Sequence, residues 1–201
     1  PDLKVRWCSG YLKIDVCSAA IINQSRFRGI RTLILSGERG EESAARAKYP
    51  IFEPDRADLR NGKQFTRHVD RLRPIRDWKE QQVWDIIKRY RIRVHPCYYL
   101  GWARCSCKFC IFGNRNQFAS AALISPAQIA EVVACEKEFN CTIKRNTDLP
   151  TLIASGTPYQ TITEELKRLA TGYNYDQPVI LPPDEPWILP AGAFGENCGA
   201  I

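Results

Sequence analysis

Residues 31–46 read Arg-Thr-Leu-Ile-Leu-Ser-Gly-Glu-Arg-Gly-Glu-Glu-Ser-Ala-Ala-Arg. The run Arg31 to Leu35 is short, apolar and partly β-branched, and it ends at Ser36-Gly37, which predicts a buried strand. Glu41 to Lys48 predicts a short helix closed by Pro50. A strand that runs through a glycine turn into a helix start is an anion-binding geometry, because the first N–H groups of the helix and the positive end of its dipole face the loop. Arg39 and Arg46 would add bidentate contacts to phosphate or sulfate, and a serine hydroxyl can donate as well. The competing reading of the same residues is an internal pair between Arg39 and Glu42.

The flanking sequence extends this pattern. Residues 11–27 predict a helix, and a strand is expected around 67–75 after a polar loop at 50–66. Asp77-Trp-Lys-Glu80 has the form of a capping box opening a helix to about Arg91, with Val83, Trp84, Ile87 and Tyr90 on its apolar stripe. Ser125-Pro126 starts another helix, to about Phe139, and Thr161-Ile-Thr-Glu164 opens a last one, ended by Gly172. Residues 177–201 contain five prolines and predict an extended tail. One clear strand among several helices implies an α/β architecture with much of its sheet outside this chain.

Composition narrows the class. The 201 residues are 44% hydrophobic and 25% charged, as in ordinary globular proteins, and no apolar run approaches membrane-spanning length. Pro1-Asp-Leu-Lys-Val-Arg lacks the apolar core of a signal peptide. Nine cysteines, an odd number, argue against a disulfide framework and for a reducing cytoplasm. A chain that begins at Pro1 and contains no methionine is expected to be part of a longer product. The net charge of +7 is uneven: residues 56–116 carry 15 Lys/Arg against 5 Asp/Glu, and residues 117–201 carry 5 against 10. A basic middle attracts polyanions such as nucleotides or DNA, unless its charges are solvated and paired within the protein.

That basic middle holds Cys97, Cys105, Cys107 and Cys110 within fourteen residues. Cys107-Lys-Phe-Cys110 can supply two ligands to a tetrahedral ion, two corners of an iron–sulfur cluster, or a redox dithiol. The irregular segment before it disfavours a thioredoxin-type motif, which follows a strand. A zinc site would call for a second pair or nearby histidines; His95 is one candidate, although a histidine before proline more often serves as a hydrogen-bonding loop residue. Cys97, Cys105 and the remote Cys8 are the candidates to complete a cluster, while Cys17 and Cys135 are expected to be buried helix residues.

Four segments in order resemble one family. They are Trp7-Cys8-Ser9 with Leu12-Lys13; Leu35-Ser-Gly-Glu-Arg-Gly-Glu-Glu-Ser43 with Arg46; Arg73-Pro-Ile-Arg-Asp-Trp78 with Val83-Trp84; and His95-Pro-Cys-Tyr98 with Cys107-Lys-Phe-Cys110-Ile-Phe-Gly113. Together they resemble the phosphoadenosine phosphosulfate (PAPS) reductase-like group of adenine nucleotide α-hydrolases, and within it most nearly the iron–sulfur ATP pyrophosphatases of DNA phosphorothioation. The resemblance implies a Rossmann-like parallel sheet with flanking helices followed by a mainly helical C-terminal part. It also implies that the family's Ser-Gly-Gly-x-Asp-Ser phosphate loop lies before Trp7, outside this chain. The implied divisions are residues 1–92 for the remainder of the nucleotide-binding domain, 93–124 for a cysteine-rich iron–sulfur segment, and 125–201 for a helical region with a proline-rich tail.

By the same resemblance, Gly37, Arg39, Glu42, Ser43 and Arg46 would face the nucleotide phosphates or the transferred sulfur group, with Arg39 and Arg46 catalytic. Cys8, Cys97, Cys107 and Cys110 would hold a 4Fe-4S cluster, with Cys105 in reserve. ATP with Mg2+ would be the co-substrate, a cysteine desulfurase the sulfur donor, and DNA or a DNA-bound complex the partner. Asp77 and Trp78 are read as structural, a helix cap and a packing residue. Two other functions fit the residues. One is a thioredoxin-dependent PAPS or APS (adenosine phosphosulfate) reductase, for which Glu196-Asn-Cys198-Gly199 loosely resembles the nucleophile motif. The other is a non-enzymatic, zinc- or cluster-stabilised nucleic-acid-binding module.

Overall fold

The computed structural model describes residues 7–195, which divide between two compact units, residues 7–80 and 81–195. Cys198 and its neighbours lie outside the described residues.

The first unit opens with α1 (Trp7–Ser9), which passes through a π-helical stretch (Gly10–Ile14) into α2 (Asp15–Asn23). The predicted helix is thus present, with a widened turn near its start. A three-stranded sheet follows, formed by β1 (Arg31–Leu35), β2 (Phe52–Pro54) and β3 (His68–Leu72) in the order β1-β3-β2. β1 runs parallel to β3, with Leu35 opposite Leu72, whereas β2 is antiparallel to β3. The sheet is therefore mixed, and the expected all-parallel arrangement holds only for the β1–β3 pair. β1 is an edge strand whose Leu33 and Leu35 are exposed, in contrast to the buried strand expected from its composition. Parallel strands are buried only where layers cover both faces, and β3, with Val69 fully buried, is the covered strand here.

Ion pairs organise the loops around β3. Asp55 accepts two hydrogen bonds from Arg71, Arg60 bridges Asp58 and Asp70, and the buried Arg73 bridges Glu38 and Glu53. Much of the basic excess of the middle third is consumed by such pairs, so it is less of a bare cationic surface than the residue count implies.

The second unit contains α3 (Glu80–Arg89, from its second residue), α4 (Pro96–Tyr99), α5 (Arg115–Ile124), α6 (Pro126–Glu138), α7 (Leu149–Ala154) and α8 (Glu164–Thr171). The expected cap at Asp77 does not form. Asp77 is exposed and pairs with Arg76, and α3 starts at Glu80, whose N–H is held by the Glu41 carboxylate at 2.7 Å. α5 begins with a full capping box between Asn114 and Gln117, and Thr163 rather than Thr161 caps α8. The core gathers Leu100, Trp102, Ala121 and Ile124, with Tyr159 and Leu166 packed against it and Tyr159 meeting Trp102 edge to face at 5.4 Å. Gly101 lies beneath that ring at φ +105°, and a Cβ there would come within 2.9 Å of Tyr159, so both backbone and space require glycine.

Cys17 and Cys135 are exposed, not buried as expected. The covered stripe of α6 is Ile129, Val132, Val133 and Glu136, which leaves Cys135 off the stripe; Glu136 earns its place by accepting the Ile143 and Leu149 N–H groups. On α2 the covered positions are Asp15, Ser18 and Ile21, so Cys17 faces outward. The proline-rich tail is tied down: Arg93 N–H donates to Val179, Leu181 N–H to Arg91, and the Arg93 guanidinium forks onto Glu185 at 2.8 and 2.9 Å.

Candidate anion-binding loop and metal centre

In the first unit the chain leaves β1 at Ser36, whose N–H donates to Leu72, so the loop starts at the C-terminal end of the parallel pair, the end where open α/β sheets place ligands. The expected helix over 41–48 is replaced by two 3-10 turns, Gly40–Glu42 and Arg46–Lys48. Such short turns sum little dipole, so an anion here would depend on guanidinium groups and local N–H donors rather than on a helix terminus.

The turns bring Arg39, Glu42, Ser43 and Arg46 together, and Ser43 Oγ accepts the Arg46 N–H at 3.2 Å. The two guanidinium groups share Glu42: Arg46 donates to it directly, and Arg39 approaches it at 3.6 Å while binding Glu41 at 2.8 Å. The predicted phosphate arginines are thus assembled but carboxylate-bound, so an incoming anion must displace Glu41 and Glu42. Gly37 adjoins Ile75. Glu38 accepts from Ser36 Oγ at 3.2 Å and from Arg73 Nε at 2.6 Å. Burial works against its charge, but the hydrogen bonds and charge of Arg73, with help from Ser36, hold its carboxyl below the usual range.

In the second unit, His95 caps α4 by accepting the Cys97 N–H on Nδ1 at 3.1 Å. This is the hydrogen-bonding loop role expected of it. Trp102 N–H returns to the Cys97 carbonyl, and Cys105 N–H donates to the Tyr98 hydroxyl at 3.3 Å, so the chain folds back over α4. The result places ligand atoms of His95, Cys97 and Cys105 within 4.8 Å of one another, with Cys97 half-buried and the other two exposed. Burial, then the charge and hydrogen bond of Cys105, push the Cys97 thiol well above its usual range.

Cys107 and Cys110 stand outside this group, on a tight turn closed by Cys110 N–H to the Cys107 carbonyl at 3.2 Å. Lys108 anchors that turn to the start of α6 through Ser125 Oγ at 2.5 Å and Gln128 Oε1 at 2.8 Å, and burial lowers its pKa. Of the four ligands expected for a cluster, the turn presents Cys107 and Cys110 as a pair, Cys97 associates with Cys105 and His95, and Cys8 lies half-buried in α1 of the first unit. An iron–sulfur cluster takes its thiolates at separate iron corners. Three donors converging within 4.8 Å suit one ion instead. The sequence signal for this group is His95-x-Cys97 followed by Cys105, a set whose convergence depends on the return of the chain over α4.

Comparisons with known proteins bear on both regions. The phosphoadenosine phosphosulfate reductase domain matches residues 5–112, just over half of the chain. The chain is 32% identical over 157 residues to an uncharacterised 37.8 kDa protein of Escherichia phage 186, covering 75% of this chain and 45% of that protein. It is 28% identical over 103 residues to the adenosine 5'-phosphosulfate reductase of Allochromatium vinosum, covering 51% of this chain and 34% of that enzyme. The chain thus spans less than half the length of these curated relatives. No solved structure gives a significant match. Among the described residues no helix is long and apolar enough to cross a membrane.

Proposed function

This chain belongs to the phosphoadenosine phosphosulfate reductase domain family, and from that premise we propose that it works in nucleotide-dependent sulfur chemistry, as part of a cytoplasmic ATP pyrophosphatase-type sulfurtransferase that puts sulfur into the DNA backbone. The observation that carries the proposal is the loop after β1, which sets Arg39, Ser43 and Arg46 in one turn at the ligand-binding end of the parallel strand pair.

In this reading, a nonbridging oxygen of the acceptor phosphate attacks the α-phosphorus of Mg2+-bound ATP, and pyrophosphate leaves. The outer sulfur of a persulfide supplied by a cysteine desulfurase then attacks the activated acceptor phosphorus and displaces AMP, and a thiol reductant cleaves the resulting S–S bond to leave the phosphorothioate. Arg39 and Arg46 bind the charge that gathers on the departing pyrophosphate, exchanging their carboxylate partners for phosphate oxygens. Ser43 orients the turn through the Arg46 N–H, Gly37 admits the phosphates without a side chain, and Glu42 holds the two arginines in register before the nucleotide arrives. Cys107 and Cys110 would supply two of the thiolates of a 4Fe-4S cluster, and such a group would supply sulfur or electron-transfer chemistry to the reaction. The basic middle third would meet the DNA phosphates.

The test is pyrophosphate release from ATP in the presence of DNA. Arg39→Ala should lower the rate about 100-fold, the usual cost of removing one charge-stabilising donor. Absence of pyrophosphate release from the intact protein, with the phosphate loop expected before Trp7 included, sinks this reading. The similarity to an adenosine 5'-phosphosulfate reductase favours a second reading, reductive release of sulfite from a sulfonucleotide. Sulfite production abolished by Cys198→Ser would select it.

A further inference from the structure

We propose that His95, Cys97 and Cys105 form a site for a single tetrahedral transition-metal ion of the zinc class, separate from the Cys107–Cys110 pair. The three ligand atoms lie within 4.8 Å of one another. Two thiolates bound to one tetrahedral ion at ~2.3 Å stand about 3.8 Å apart, so the three donors already occupy the space of a single coordination sphere. An iron–sulfur cluster distributes its thiolates over different irons, and two cysteines packed this closely would contend for one corner. The geometry therefore removes Cys97 from the cluster set that the resemblance assigns to it and gives it to a different group.

The positioning is built into the fold and is not a chance meeting of long side chains. His95 and Cys97 are two residues apart across the first turn of α4, held by the N–H bond between them. Cys105 is brought back over that turn by its N–H bond to Tyr98, and the returning segment is anchored by the buried Leu100 and Trp102. Cys97 packs against the same core cluster, which shields one side of the site, while exposed His95 and Cys105 leave the other open to an entering ion. Two thiolates and an imidazole are a borderline-soft donor set that favours zinc over hard cations. Coordination through His95 Nδ1 would replace its bond to the Cys97 N–H. Three protein donors leave a fourth position for water or an external thiolate.

The test is anaerobic titration of the metal-free, reduced protein with Co2+, followed by thiolate-to-cobalt charge-transfer absorption. The unaltered chain, Cys107→Ser and Cys110→Ser should each retain this equivalent, Cys97→Ser and Cys105→Ser should lose it, and His95→Ala should bind at least about tenfold more weakly, since loss of even an outer-shell partner costs that much. Zn2+ should raise the melting temperature of the unaltered protein and of Cys107→Ser but not of Cys97→Ser, and circular dichroism of each metal-free variant establishes that it folds. Absorption that survives in Cys97→Ser or Cys105→Ser overturns the proposal. So does absorption lost equally in Cys107→Ser and Cys110→Ser, which would make all the thiols one shared site. Failure of pyrophosphate release with cobalt binding intact would overturn the proposed activity and leave this site standing.

Discussion

Between residues 36 and 46 both arginines already rest on carboxylates: Arg39 on Glu41 and Glu42, and Arg46 on Glu42. Between residues 95 and 110 the assembled groups are an imidazole and thiols, gathered by backbone hydrogen bonds from the turns around α4 and by packing on Leu100 and Trp102. The first region stores charge and must exchange partners to bind an anion. The second stores geometry and must shed protons to bind an ion. Mutations should therefore act on the two through different physics, packing in the cysteine segment and electrostatics in the loop.

The largest effect is expected from Leu100→Ala. Leu100 is 2% exposed in the core beneath the returning segment, and its truncation should cost about 3 kcal/mol, read as a lower denaturation midpoint together with weaker Co2+ binding. A loss of stability without loss of cobalt would show that the donors are positioned by α4 and the Cys105–Tyr98 hydrogen bond without help from Leu100.

Next is Arg73→Met on the loop side. Arg73 is buried and bridges Glu38 at 2.6 Å and Glu53 at 2.7 Å, while Pro50 accepts from it at 2.8 Å. Breaking a buried pair is costly, but both carboxylates are about a third exposed, which reduces the expected loss to about 2 kcal/mol. Glu38 should then titrate nearer its ordinary value of 4.5. Metal binding in the cysteine segment should be unchanged, and a change would break the comparison.

A pH series sharpens the contrast. Hydrogen bonds from Arg60, then from the Val69 and Arg60 N–H groups, outweigh desolvation and lower the Asp58 carboxyl from 3.8 to about 2. The folded state binds fewer protons than the unfolded one in this interval, so the contribution is complete above pH 3.8 and is lost as pH falls toward 2. Asp58→Asn should flatten this acid limb in a urea-midpoint series. An unchanged limb would assign acid sensitivity to other carboxylates.

The smallest expected effect is that of Glu42→Gln. Removing the carboxylate shared by Arg39 and Arg46 should tighten pyrophosphate binding by a few-fold, on the scale of an exposed ion pair, and the gain should shrink in high salt. Weaker binding in this variant would make Glu42 a contact for the nucleotide or its Mg2+, not a place-holder.

Local chemistry made much of this legible in the sequence. The β1 strand and Pro126 at the start of α6 follow from dihedral preferences acting over a few residues, and Gly172 ends α8 in extended backbone where a Cβ would come within 2.9 Å of the Arg168 carbonyl oxygen. The pairing of Arg39 with Glu42 could be foreseen because the partners are three positions apart. What failed depended on distant partners. Asp77 has the sequence of a cap, but the Glu80 N–H is taken by Glu41, thirty-nine positions earlier. Cys135 has the composition of a core residue, but Glu136 holds the inward stripe because it binds the N–H groups of residues 143 and 149.

By itself the sequence determined the family, the ordered motifs from Trp7 to Gly113, the arginine-bearing turn after β1 and the concentration of thiols between 97 and 110, because these are matters of residue type and spacing. Tertiary structure alone decided that the sheet is mixed with β1 at its edge, that Arg39 and Arg46 stand against carboxylates, and that Cys97 joins Cys105 and His95 while the Cys107–Cys110 turn stands apart. The reason is that a donor set is defined by convergence in space. Seven residues of chain between Cys97 and Cys105 allow many separations, and the packing of Leu100 and Trp102, with Gly101 turned at a positive φ between them, selects the one in which the donors meet.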